Sequence, residues 1–355
     1  MEEVVGTAHG NEPIGGEPVK AFVLRKPGEA SIETIPDATA GPGEALLRVR
    51  RVGLCGTDLS SWRGKNPLVS YPRIPGHEIA ATIVELPKGA AGLSVGMDVT
   101  LSPYKSCGAC AACRNGRHNA CLNNQTLGVQ REGGMAELLP CPVEKLYAAN
   151  LNLTELCLVE PLTVGFHAVA RGRVTNKDTV AIFGCGGVGL GAVAGAAHRG
   201  ARVIGIDVED DKLQIARQAG ATELVNTRRQ NAVEILREVT AGHGPDVVIE
   251  AIGLPETFRQ AVDIVASTGR VVYIGYAKEP VRYETRFFVQ KEVDIMGSRN
   301  AQPENFREVI AMLEAKQFPV ASTVTTVAPL DEAPALLRSW SENPGQFSKI
   351  QITLD

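Results

Sequence analysis

An apolar strand-like run, Thr179 to Phe183, leads into Gly184-Cys185-Gly186-Gly187-Val188-Gly189 and then into an apolar helix from about Val188 to His198. A G-x-G-x-x-G turn between strand and helix leaves few architectures open, because it is how a βαβ unit receives a dinucleotide. Gly184 allows the tight turn, Gly186 lets the backbone approach a pyrophosphate, and Gly189 lets the helix pack closely. The helix N-terminus at Gly187 and Val188 offers unpaired N–H groups to the phosphates. Asp207 lies 18 residues beyond Gly189 and ends the next strand, Arg202 to Ile206. Its carboxylate suits a ribose 2′-hydroxyl and would repel a 2′-phosphate, which points to NAD over NADP. The competing reading is a glycine-rich turn that binds nothing.

The same alternation continues downstream. Asp246 to Ile249, Arg270 to Ile274 and Val293 to Met296 read as buried strands. Asp211 to Ala219, Ala232 to Thr240 and Thr257 to Val265 read as helices. This is the pattern of a doubly wound parallel sheet, an α/β fold. The chain before it differs. Val19 to Leu24, Ala45 to Leu54, Ile79 to Glu85 and Asp98 to Leu101 are short strands broken by Gly and Pro, with little helix. They predict a β-rich, barrel-like unit up to about residue 150. After Gly297 come a helix (about Glu304 to Ala315), a second beginning at Asp331-Glu332 and a last strand, Lys349 to Leu354. That tail is too short for a domain and is expected to return and complete the first. The expected division is an extension over 1–18, a β-rich catalytic domain over 19–158 and 299–355, and a dinucleotide domain over 159–298.

Charge and composition exclude several classes. A net charge of −4 over 355 residues, with no Lys/Arg run, argues against a nucleic-acid binder. No stretch reads as the ~18 apolar residues of a membrane span. Met1 to Pro18 is acidic and Gly-rich without an apolar core, so it does not read as a signal peptide. The expected home is the cytoplasm.

Four of the eight cysteines crowd together as Cys107, Cys110, Cys113 and Cys121. The spacing C-x2-C-x2-C-x7-C suits an all-thiolate structural zinc with no open position. The first three spacings also match a bacterial ferredoxin run, but the fourth does not and no Pro follows Cys121. Cys141 and Cys157 read as core or loop thiols. Cys185, inside the phosphate turn, reads as a point where oxidation would block a cofactor.

A second set of metal-ligand types is scattered: Cys55-Gly56-Thr57-Asp58, Gly76-His77-Glu78 and Glu160-Pro161. Spacing alone does not bring them together. A lone Cys is commonly a core residue, and Glu160-Pro161 also reads as a surface carboxylate at a turn.

Taken in order, these five motifs resemble the zinc-dependent medium-chain alcohol and polyol dehydrogenases, from about Val19 onward. Within that family the chain is most similar to the sorbitol, threonine and sugar-acid dehydrogenase branch. The resemblance implies a GroES-like catalytic domain beside a Rossmann domain, with NAD and two zinc ions per chain, one catalytic and one structural. By it, Cys55 and His77 ligate the catalytic zinc, and one of Glu78 and Glu160 ligates while the other holds or exchanges with water. Asp58 orients His77, and Thr57 takes the proton from the alcohol. The family often ends its proton relay at a His five residues after the ligand Cys; here that residue is Ser60, which leaves the carrier open. The implied substrate is a polyol, sugar or sugar acid, oxidised at a secondary alcohol, with Trp62 and Arg299 as candidate substrate contacts. The Trp62-Arg63 segment reads equally as a solvated loop around one buried Trp. The resemblance also implies a homodimer or homotetramer. The alternatives are a threonine-type or simple-alcohol dehydrogenase and, from another class, a non-catalytic NAD-binding sensor.

Overall fold

The computed structural model describes residues 18–354. The expected N-terminal extension therefore lies outside the described residues, apart from Pro18. Two large sheets organise the chain. One is six-stranded and parallel, in the order Glu223–Asn226, Arg202–Asp207, Thr179–Phe183, Val247–Glu250, Arg270–Tyr273, Asp294–Gly297. This is the 3-2-1-4-5-6 order of a dinucleotide fold, with the glycine turn leaving the strand where the order reverses. The other is seven-stranded, and Glu44–Leu54 is its centre. That strand pairs antiparallel with Glu78–Glu85 on one side, with the late strand Lys349–Thr353 on the other, and with Leu138–Pro142.

The central strands are buried because their apolar residues face a core on both sides or on alternate positions; the strand Asp294–Gly297, expected to be buried, is instead an exposed edge of the parallel sheet. Val180 to Phe183 and Val247 to Glu250 are buried throughout. Glu44–Leu54 alternates less strictly, hiding Leu47, Val49 and Val52 while Arg48 stays exposed.

The sequence reading missed the helix that joins the two halves. Leu153–Arg171 is 19 residues long, apolar enough to cross a membrane by length and composition, and 78% buried inside the protein. It is a core helix. It starts at a reciprocal cap, in which Asn152 Oδ1 accepts from the Glu155 amide while a Glu155 carboxylate oxygen accepts from the Asn152 amide. Pro161 sits inside it and masks the helical pattern in the sequence. Glu160 is thus not at a surface turn but mid-helix, 3% exposed. A second unread helix, Gly56–Trp62, follows Cys55 directly.

The long helix and Gly187–His198, the helix opened by the glycine turn, approach backbone to backbone. A Cβ on Gly165 would stand 2.1 Å from the Ala192 nitrogen, and one on Gly191 would stand 2.6 Å from the Leu162 carbonyl oxygen. Gly165→Ala has no flexible side chain to displace, so it should cost about 3 kcal/mol and lower the thermal midpoint by ~5–10 °C. Calorimetry checks this, and an unchanged midpoint would mean the two helices can separate freely.

Candidate active site

Three neighbouring strand ends assemble the site. Glu44–Leu54 ends one residue before Cys55, Glu78–Glu85 begins one residue after His77, and Lys349 opens Lys349–Thr353. The register places Gly53 opposite Glu78 and Leu54 opposite Ile350. Pairing in the sheet therefore delivers a thiol, an imidazole, a carboxylate and an ammonium group to one edge.

Cys55 is the N-cap of Gly56–Trp62. Its Sγ accepts from the Thr57 amide at 3.2 Å, and Asp58 Oδ2 accepts from the Cys55 amide at 3.0 Å. The Cys-x-x-Asp spacing is a capping box with sulfur in the serine position. His77 turns Nε2 to within 3.1 Å of Cys55 Sγ. One ligand atom each from Cys55, His77 and Glu78 lies within 4.8 Å of the others. Glu160, on the long helix, comes to the same neighbourhood but stands outside that trio and accepts from the Tyr104 hydroxyl. Glu78 accepts from Lys349 Nζ at 2.7 and 2.8 Å, and Lys349 also reaches the Leu54 carbonyl at 3.3 Å.

The charges here are close and dry. Burial opposes a charge on His77, yet Cys55, Asp58 and Glu160 outweigh it and hold the imidazole well above its ordinary value. Burial pushes the Cys55 thiol up, with His77 partly opposing. Burial also raises Glu160, opposed by His77 and reinforced by Glu78. Burial works against charge on Lys349, and Glu78 more than restores it. His77 Nδ1 and Asp58 Oδ1 are buried without a hydrogen-bond partner. The expected Asp58–His77 hydrogen bond is therefore not made, because Asp58 caps the helix instead, although its charge still acts on the ring. A divalent cation suits this set: a sulfur, a nitrogen and a carboxylate converge, more anionic groups surround them than Lys349 can offset, and these donor types are those of zinc.

The four cysteines also meet. Cys110 Sγ lies 3.5 Å from Cys113 Sγ and 3.8 Å from Cys121 Sγ, and Cys121 lies 3.5 Å from Cys107. Backbone amides of Cys113 and Leu122 lower the Cys110 thiol to about 6, whereas burial lifts Cys113 to about 11. Four sulfurs at this spacing fit a closed tetrahedral zinc.

Around the dinucleotide turn, Gly184 has φ +93°, and a Cβ on Gly189 would sit 1.8 Å from the Gly184 oxygen. Gly186 caps the helix with open space at its Cβ position, followed by Gly187 and Val188. Asp207 Oδ2 accepts from the Cys185 amide at 2.8 Å, and Oδ1 accepts from the Val208 and Glu209 amides. The carboxylate thus joins the end of its strand to the glycine turn. The Cys185 thiol is buried beneath the turn near Gly205, and burial pushes it up to about 12. It is an inert core residue.

Two expected contacts change. Trp62 is buried in the core of the β-rich half and offers no face to a substrate. Arg63 is committed to Ser341. Arg299 does border an open cavity of about 380 Å³ with Tyr273, Gly275, Tyr276 and Ser298. Thr57 and Ser60 are half-buried, three residues apart on one helix face. Lys349 escaped the sequence reading. Its Nζ also lies 3.8 Å from the Cβ position of Gly187, so it stands between the metal ligands and the phosphate turn.

Comparison with known proteins agrees with this geometry. The family description "Alcohol dehydrogenase GroES-like domain" matches residues 41–150, and "Zinc-binding dehydrogenase" matches residues 187–315. The L-galactonate-5-dehydrogenase of Escherichia coli K12 is 35% identical over 270 residues, covering 76% of this chain and 79% of the relative. The chain belongs to the zinc-type medium-chain polyol dehydrogenase family. It is an oxidoreductase of the alcohol dehydrogenase type, with zinc and a nicotinamide cofactor. Solved structures of the type superpose over nearly the whole molecule. The RspB alcohol dehydrogenase of E. coli CFT073, complexed with NADH, gives a TM-score of 0.88 at 27% identity, covering 96% of this chain and all (100%) of that one. A zinc-binding dehydrogenase of Sinorhizobium meliloti 1021, bound to NADP, gives 0.87 at 29% identity, covering 95% of this chain and 100% of that one.

Removing the cation at Lys349 should be costly, since it strands a buried carboxylate. Lys349→Met is expected to lower the thermal midpoint by ~5–10 °C, with Lys349→Arg recovering most of it. An unchanged midpoint in Lys349→Met would show that Glu78 does not depend on this partner.

Proposed function

We propose that this dehydrogenase oxidises a secondary alcohol of a polyol, sugar or sugar acid with NAD, holding two zinc ions per chain. The observation that carries the reading is the convergence of Cys55, His77 and Glu78 beside Lys349, which itself abuts the dinucleotide turn. When bound, zinc supplies a Lewis acid that acidifies the alcohol, and the nicotinamide takes the hydride. Everything else is work for the chain's own residues. Cys55 Sγ, His77 Nε2 and a Glu78 oxygen hold the catalytic metal; Cys107, Cys110, Cys113 and Cys121 hold the structural one. Glu160, steadied by Tyr104, orients a water at the same point. Thr57 accepts the alcohol's proton through its hydroxyl, and Ser60, one turn further on, passes it outward. Cys55 to Ser60 belong to a catalytic domain over 19–158 and 299–355, and the dinucleotide domain covers 159–298.

Asp207 favours NAD, because a 2′-phosphate would meet a buried carboxylate already anchored by three amides. The substrate class follows the sugar-acid relative and Arg299 at the cavity edge. We further infer a homo-oligomer. The edge strand Asp294–Gly297 leaves Ile295 exposed, with Val289 and Tyr276 exposed on the same half of the molecule, and bare apolar edges favour pairing. Eight cysteines with no disulfide among them suit a reducing compartment such as the cytoplasm.

A panel of sugar alcohols, aldonates, threonine and short alcohols, each with NAD and NADP and followed by absorbance of the reduced cofactor, tests the reading. The expected result is the highest kcat/KM on a polyol or aldonate with NAD. Cys55→Ser should lose one zinc and its turnover while still binding NADH. Preference for threonine or NADP, or full turnover in that variant, contradicts the proposal.

A further inference from the structure

Between Cys113 and Cys121 the metal loop passes through the short turn His118–Ala120, which buries Asn119 to 3% exposure. Asn119 Nδ2 donates to His167 Nε2 at 2.9 Å and to the Arg299 carbonyl at 2.8 Å. The reverse bond also exists: Asn300 Nδ2 donates to the Asn119 carbonyl at 3.0 Å. Arg299 Nη1 adds a bond to the Cys121 carbonyl at 3.4 Å. A cysteine ligand and its neighbour are thus tied directly to residues 299–300.

His167 fixes the direction of this tie. Asn305 turns its Nδ2 to Glu308, so its Oδ1 must accept from His167 Nδ1 at 3.0 Å. That leaves Nε2 bare, an acceptor for Asn119. Burial holds the imidazole down to about 4, with Arg117 and Arg171 acting the same way and Asn305 and Glu304 against, so it stays neutral. Both donors of Asn119 are therefore committed, and a flipped amide would set oxygen against two acceptors.

The held segment borders the cleft. Asn300 has φ +53°, a left-handed conformation that asparagine takes more readily than most residues, and its side-chain amide is held there by the Asn119 carbonyl. Gly297, Ser298 and Arg299 form one wall of the cavity, opposite Tyr273 to Tyr276, at the carboxyl ends of two parallel strands. Such sheets bind their ligands at that edge.

We propose that the four-cysteine loop is a positioning device for the cleft: through Asn119 it sets the conformation of residues 298–300, so metal in the loop governs ligand affinity as well as stability. The identity of the ligand, a nicotinamide cofactor, rests on the function proposed above; the tie itself does not.

Asn119→Asp removes both donors at constant volume, and Asn119→Ala removes the side chain. Zinc content, amide hydrogen exchange and NADH binding by fluorescence are measured on the zinc-loaded full chain. Both variants should keep the wild-type zinc content. Exchange at residues 298–301 should rise about ten-fold while the strand Arg202–Asp207 stays protected, and the NADH dissociation constant should rise several-fold. Cys110→Ser, which loses one zinc, should reproduce the local rise. Wild-type exchange at 298–301 in the Asn119 variants overturns the proposal. So does a lowered melting temperature with unaltered NADH affinity, which is what a purely stabilising loop would give. If Cys110→Ser does not fold, the Asn119 variants decide alone. Should the wild type fail to bind NADH at all, the cofactor assignment falls while the exchange result still judges the tie.

Discussion

Lys349 carries an ammonium group, 5% exposed, into a site that already holds the carboxylates of Asp58, Glu78 and Glu160 and the Cys55 thiol. Without it, Glu78 would be an unpaired charge in a dry interior, which is among the most costly arrangements a fold can adopt. With it, Glu78 is paired, and Cys55, His77 and Glu160 stand beside the pair as sulfur, nitrogen and oxygen donors. Those donor types are the ones the proposed catalytic zinc would take.

The same lysine links chemistry to architecture. It comes from a strand near the C-terminal end of the described residues that pairs with the central strand of the β-rich half, and its Nζ lies 3.8 Å from where a Cβ on Gly187 would stand, in the turn that opens the helix Gly187–His198. The long helix Leu153–Arg171 performs a parallel task, presenting Glu160 on one side and packing through Gly165 on the dinucleotide helix on the other. A shift between the two halves would disturb Glu78, Glu160 and the glycine turn together. Tyr104, at the base of the cysteine lobe, adds a third tie through its bond to Glu160.

Local chemistry was readable in the sequence wherever spacing encodes geometry. The glycine turn, five of the six strands of the parallel sheet and the four-cysteine run all act over short range, and those strands fall within a residue or two of the expected positions; the sixth, Glu223–Asn226, is a short edge strand the sequence reading missed. Glu160 was harder, because Pro161 imitates a turn while lying inside a helix whose packing compensates for the lost bond. Trp62 was ambiguous because it ends a single two-turn helix too short to show a periodic face, and its burial depends on the distant helix Ala333–Glu342 that packs on it. Lys349 and Asn119 carried no signal at all. Lys349 meets Glu78 across 271 residues and Asn119 meets His167 and Arg299 across 48 and 180, and no pattern near either one announces its partner.

The most direct test of the metal centre is a crystal structure of the zinc-loaded protein with anomalous scattering measured across the zinc edge. The account predicts one zinc bonded to Cys55 Sγ, His77 Nε2 and a Glu78 oxygen, with Glu160 reaching it through water. It is contradicted if saturating zinc leaves that position vacant, or if Glu160 ligates directly while Glu78 remains paired with Lys349.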